Sequence, residues 1–424
     1  MKLTTIRTVL ASALLAFLSA PVFAMLQASD VVKHYADLAH AVYEDSLVTA
    51  HTLQKAVNQL ITEPTVANLR HARVAWLASR VPYMQSEVYR FGNAIVDNWE
   101  GKVNAWPLDE GLIDYVAASY GAESEENPAY QANVIASPSF TYSGQTIDAS
   151  HITKELLANT LHELGGIEAN VATGYHAIEF LLWGQDLNGV GPGNGNRPAT
   201  DFDPDNCSWQ NCERRAAYLK MATDLLVDDL AWMVAQWAPG GEAREDLIHG
   251  STKHGLSAIV TGMGSLSYGE LAGQRMQLGL LLHDPEEEHD CFSDNTHHSH
   301  YYDAMGIQNI YLGKYRRIDG SMVEGPSISA LVAAASPEVD KNLRDQLHTT
   351  MSAMEKLVHA AKNGEAYDQM IGEGNDSGNA RVQAAIDALT SQTRGIEQAA
   401  AVLQLTSVKF EGSDSLDNPE AVFE

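Results

Sequence analysis

Apolar residues recur three and four positions apart along most of this chain, and that spacing leaves little to build besides packed helices. Over residues 30–61 the repeat runs through Val32, Tyr35, Leu38, Val42, Leu53, Val57 and Leu60, and Pro64 ends it. A second run over 65–91 carries Leu69, Val74, Leu77, Val81, Met84 and Val88. Pro82 inside it removes a backbone hydrogen bond and should bend the helix, with Glu87 and Arg90 one turn apart beyond the bend. Further helices are expected over 153–164, 174–183, 214–237, 242–265, 268–282, 337–363 and 376–404. Residues 121–149 are mixed and turn-rich, and no strand ladder is evident. The fold class is therefore all-α.

A chain of 424 residues exceeds one hydrophobic core. The Gly-, Asn- and Pro-rich stretch 184–205 is the natural boundary. This gives an N-terminal helical domain over 25–205 and a C-terminal one over 206–424. Their similar helical make-up suggests a distant duplication, although no close repeat is present. Residues 1–24 read as a signal peptide: Lys2 and Arg7, a short apolar core over 9–18, then Val22-Phe23-Ala24 before the cut. No cysteine follows the cut, so no lipid anchor is indicated. No later run is long enough to span a membrane. The expected location is the periplasm or an outer-membrane-associated position.

Cleavage would move the formal charge from −28 to about −30. A surface this acidic argues against nucleic acid and anionic lipid as partners and concentrates cations nearby, although solubility is the plainer reason for it. Cys207 and Cys212, with four residues between them, can form a disulfide in an exported compartment. Cys291 is then free, or a soft metal ligand. There is no CxxCH haem motif and no paired CxxC zinc motif.

One apolar helix carries two polar groups, in Gly174-Tyr175-His176-Ala177-Ile178-Glu179-Phe180-Leu181-Leu182-Trp183-Gly184. His176 and Glu179 are three apart and share a helical face. Burying them without partners would cost a few kcal/mol. With Thr173 as N-cap and Gly184 as stop, His176 falls in the first turn. There the helix dipole favours neutral imidazole and ionised carboxylate, the metal-binding forms. The spacing alone is weak evidence: roughly one HxxE arises by chance in such a composition, and His283-Asp284-Pro285-Glu286 is another. A core histidine satisfied by a neighbour is the plainer reading.

The wider segment resembles the GxHxxE signature of the imelysin family, also classed as M75 peptidases. Residues 75–91 (AWLASRVPYMQSEVYRF), 103–111 (VNAWPLDEG), 268–273 (YGELAG) and 288–297 (EHDCFSDNTH) resemble the iron-regulated protein A branch of that family. The resemblance covers essentially the whole mature chain. It implies two helical-bundle domains with the GxHxxE helix near their shared cleft, and an envelope protein tied to iron acquisition. It also brings a peptidase label. The residues supply little for that chemistry: HExxH is absent, because Gly166 stands where His162-Glu163 would need a second histidine, and Phe180 breaks the inverted HxxEH.

The leading expectation is thus a non-catalytic protein that binds iron, or a chelated iron complex, around His176 and Glu179, with an envelope transport component as a possible partner. Glu87 and Asp109 are candidate further ligands, with ordinary pairing to Arg80 or Arg90 as the plainer reading. Arg80 and Arg90 could hold an anionic chelate. His289, Cys291, Asp294, His297, His298, His300 and Asp303 offer a second metal site, and residues 297, 300 and 303 can share a helical face; a solvated loop explains them as well. A zinc-dependent endopeptidase using the His–Glu pair is one alternative. A helical binding module for a surface polymer or partner protein is the other.

Overall fold

The computed structural model describes residues 27–121, 124 and 126–423, so the expected signal segment lies outside the described residues. The periodic runs fold as helices, with ends set by prolines, glycines and caps. The first is α1 (Ala28–Thr62), which buries every apolar residue of its repeat. After it, Thr65 caps α2 (Val66–Met84) by accepting from the Asn68 amide. Pro82 does more than bend this helix. It ends as α-helix at Met84, and Glu87 lies on a separate 3-10 turn, Glu87–Tyr89.

The elements that follow are α3 (Ala94–Asn104), the single turns α4 (Glu110–Ile113) and α5 (Lys154–Leu156), and the central α6 (Gly174–Trp183). The helix expected over 153–164 is only α5 and a π turn, Leu157–Leu161, before the chain turns extended at His162. Next come α7 (Cys212–Trp237), α8 (Glu242–His249) and α9 (Thr252–Ser265). Gly250 and Ser251 separate the last two, which the apolar spacing alone runs together. A π segment, Leu266–Gln277, leads into α10 (Leu278–Leu282).

Thr296–Leu312 forms α11, then α12 (Ile328–Ala335), α13 (Pro337–Lys362), α14 (Tyr367–Ile371), α15 (Asp376–Val402) and α16 (Asp414–Asp417) complete the helices. The fold is all-α apart from two short antiparallel hairpins, Ser139–Tyr142 with Gln145–Asp148 and Lys314–Arg316 with Met322–Glu324. No helix among the described residues is long and apolar enough to cross a membrane.

One layer packs α1 against α2 and α7, with α6 against α2 and α7; another packs α13 against α15 and α11. Thus α7, beyond residue 205, lies along the N-terminal helices. Helix α11 also meets α2, which joins the layers. Aromatic rings fill the first: Tyr35 meets Tyr89 at 5.0 Å and Tyr83 meets Tyr175 at 4.7 Å between centroids. The Trp76 indole donates to the Tyr175 carbonyl at 3.0 Å, which fixes α6 on α2. Cys207 and Cys212 are disulfide-bonded.

Candidate metal centre

Two glycines set the ends of α6. Gly174 has φ +80°, and a β-carbon there would sit 2.4 Å from the Val103 carbonyl oxygen, so no other residue fits. Gly184, at φ +73°, closes the helix with its amide on the Phe180 carbonyl. Thr173 occupies the N-cap position but does not cap; its hydroxyl donates to the Lys102 carbonyl instead. Every residue of α6 is buried.

His176 and Glu179 do meet, but on each other. His176 Nδ1 lies 3.0 Å from Glu179 Oε2. The other carboxylate oxygen, Oε1, accepts from the Ser293 amide at 3.0 Å and hydroxyl at 2.6 Å. The Nε2 of His176 is left buried with no hydrogen-bond partner. In the tautomer that donates Nδ1–H to Glu179, that nitrogen carries a lone pair.

The chain brings His289 and Asp290 to this place. The two imidazole rings are edge to face at 4.7 Å. One ligand-capable atom each from His176, His289 and Asp290 lies within 4.8 Å of the other two. Asp290 Oδ1 takes the Arg80 guanidinium at 2.9 Å, while Oδ2 accepts from Asn295 and Ser299. Burial, then the nearby Arg80 charge, pushes His176 down to about 3. Burial and the Arg275 charge hold His289 well below its usual range. Burial alone would raise Asp290, but Arg80 and His289 hold it well below the carboxylate range. Two neutral imidazoles and one carboxylate are the protonation states that bind a transition metal, and this donor set suits iron or zinc.

The other expected residues divide differently. Glu87 pairs with Arg275 at 2.9 Å, rather than with Arg80 or Arg90. Asp109 accepts from Asn127 and lines a cleft, apart from the His176 group. The anion-holding role expected of Arg80 and Arg90 gives way to ion pairing within the chain. Arg80 is buried against Asp290 and Asn104, and Arg90 binds Asp97 with Glu100 and Glu270 alongside. The second HxxE does not converge: His283 bonds the Ile371 carbonyl and Glu286 lines the cleft.

Of the suspected second site, His289 joins the His176 group, and Asp294 lies in a separate group with Glu288 and Asp368. Cys291 is a free, half-buried thiol that burial pushes well up. His297 and His300 sit on α11, a buried helix and not a solvated loop. There His297 packs on His298, His300 on Tyr367, and Asp303 binds Arg275. Asp290 and Ser293 were missed as site residues; their only signal is adjacency to His289 in the 288–297 block.

A cleft of about 510 Å³ is lined by Trp106, Asp109, Glu110, Asp186, Glu286 and Cys291 among others, with no lysine or arginine. Trp106 stands edge-on to His289 at 5.6 Å, between cleft and ligand group. Burial, reinforced by Glu286, raises Glu110 to about 7.

Similarities to known proteins bear on the fold and the family. Iron-regulated protein A of Synechococcus elongatus is 32% identical over 78 residues, 18% of this chain and 22% of that protein. The match thus spans about a fifth of that relative's length. A Parabacteroides distasonis crystal structure, assigned provisionally as an iron-regulated protein A precursor, shares the fold with a TM-score of 0.64 at 18% identity. That likeness covers 88% of this chain and 94% of the other. The peptidase M75 model, described as imelysin, matches residues 39–396, and the chain belongs to the imelysin family.

Proposed function

We propose that this is an exported, non-catalytic binding protein that takes up iron through His176, His289 and Asp290 and serves iron acquisition. Glu179 then acts from behind, orienting His176 through Nδ1 rather than touching the ion. The observation that carries this reading is the buried, unpartnered Nε2 of His176 beside two further ligand-capable side chains. An orphaned nitrogen in a fully buried place is costly unless something binds it.

The chemistry of the cleft favours a bare or weakly chelated cation over an anionic chelate, because its lining carries carboxylates and no fixed cation. Burial also favours binding over peptidase action. His176 and His289 are each 1% exposed, which leaves an extended peptide no approach to the ligand group.

Metal analysis of untagged protein, reloaded separately with iron and zinc, tests the reading. The wild type should retain about one equivalent, and a His176→Ala, His289→Ala double variant should retain none. Equal retention by both proteins would overturn it. Loading with zinc but never with iron would replace iron as the cargo.

A further inference from the structure

A second group of acids adjoins the segment that carries His289 and Asp290. Glu288, Asp294 and Asp368 each offer a carboxylate oxygen within 4.8 Å of the other two. Glu288 and Asp368 are each 1% exposed. Oε1 of Glu288, Oδ1 of Asp294 and both oxygens of Asp368 are buried with no hydrogen-bond partner. The charges acting on all three are those of other carboxylates, with no lysine or arginine among them.

Several other buried acids of this chain have a built-in cation. Asp290 has Arg80, Asp114 has Arg215, and Glu87 has Arg275. Three converging carboxylates without a counter-charge are costly to bury. An independent group points to the same place: the Tyr367 hydroxyl is fully buried, has no partner, and feels the Glu288 charge.

We propose that Glu288, Asp294 and Asp368 form a second cation site, for a hard divalent ion of the calcium class, which ties the 288–290 segment to α14. The donor set is oxygen only, with no imidazole or thiol, which selects hard cations over iron(II) or zinc. Calcium holds its oxygens at about 2.3–2.6 Å, so oxygens across the ion stand up to about 5 Å apart. The observed separations fall within that limit. Asp368 comes from the C-terminal helices and the other two from the loops before α11, so an ion here crosslinks distant parts of the chain. Glu288 is covalently next to His289, and its fixation also fixes the backbone that presents His289 and Asp290.

The test is thermal unfolding and calorimetric titration of the full chain after chelator treatment, with calcium, magnesium or manganese added alone. Calcium should bind with one equivalent and raise the wild-type Tm by about 2–5 °C. Asp368→Asn should lose that response while being at least as stable as wild type in chelator, because a buried charge is gone. Should that variant fail to fold, Asp294→Asn, at a less buried position, is expected to weaken calcium binding at least tenfold. His176→Ala should keep the full calcium response, which separates this site from the iron reading. A wild-type Tm unmoved by millimolar concentrations of all three ions overturns the proposal. So does an Asp368→Asn or Asp294→Asn protein that responds as the wild type does.

Discussion

Among the described residues, two trios of buried or half-buried carboxylates invite comparison, and one of them has a cation built into it. Glu87, Glu270 and Asp303 surround Arg275 at 2.9, 2.8 and 3.0 Å. Every nitrogen of that guanidinium is engaged, and the carboxylates hold its proton far more tightly than usual even though burial opposes the charge. Glu288, Asp294 and Asp368 converge within 4.8 Å with no lysine or arginine among the charges acting on them. The His176 group falls between them, with Arg80 compensating Asp290 while His176 Nε2 stays open. Around Arg275 the compensating charge is covalently attached, whereas the two sites proposed above would take theirs from solution.

The comparison breaks most decisively at Arg275. Removing one partner of a buried ion pair leaves the others uncompensated, at a cost of about 3–5 kcal/mol. Arg275→Ala should lose that much in urea unfolding, and neither calcium nor iron should restore it. A loss under about 1 kcal/mol would show that the two trios are not different in kind.

Acid titration probes the same centre. Burial, then the Glu87 charge, pushes Glu100 up to about 7. The folded protein therefore holds this proton more tightly than the unfolded chain, so its contribution is full below the ordinary carboxylate range and is lost as pH rises through about 7. The loss is at most about 1.4 kcal/mol per pH unit in that window. Glu100→Gln should flatten the stability profile there, and an unchanged slope would remove Glu100 as its source.

A smaller effect is expected behind the iron ligands. Glu179→Gln should weaken metal binding about 10–100-fold, or ~1.4–2.7 kcal/mol, without abolishing it. Complete loss in a competition titration would make Glu179 a ligand itself. Smallest is the exposed pair: Asp97→Asn, opposite Arg90, should change stability by less than about 1 kcal/mol. A larger loss would mean that exposure does not divide the pairs of this protein.

Helix content was legible because α1, α7, α13 and α15 each bury a regular apolar stripe, whereas α2 buries Leu69, Ala72, Trp76 and Tyr83 and leaves Val74 of its expected repeat exposed. The long helix α11 was not, since its buried face includes His297, His300 and Asp303, and periodicity reads such residues as surface. The 153–164 stretch failed for a different reason: the pattern is helical, but the backbone widens to a π turn and stops. The GxHxxE pair was legible as a place, while its roles were not. Which nitrogen of His176 stays open depends on Ser293 holding Glu179 from 114 positions away. The pairing of Glu87 with Arg275 spans 188 positions, and no local spacing encodes it.

The edge-on contact of Trp106 with His289 gives the cleft an optical signature. An indole that close to a coordinated imidazole loses its excited state to a paramagnetic ion and keeps it beside a closed-shell one. We predict that iron dims part of the emission of the seven tryptophans, that zinc does not, and that Trp106→Phe abolishes the difference. The residue at the threshold would then announce which ion has passed.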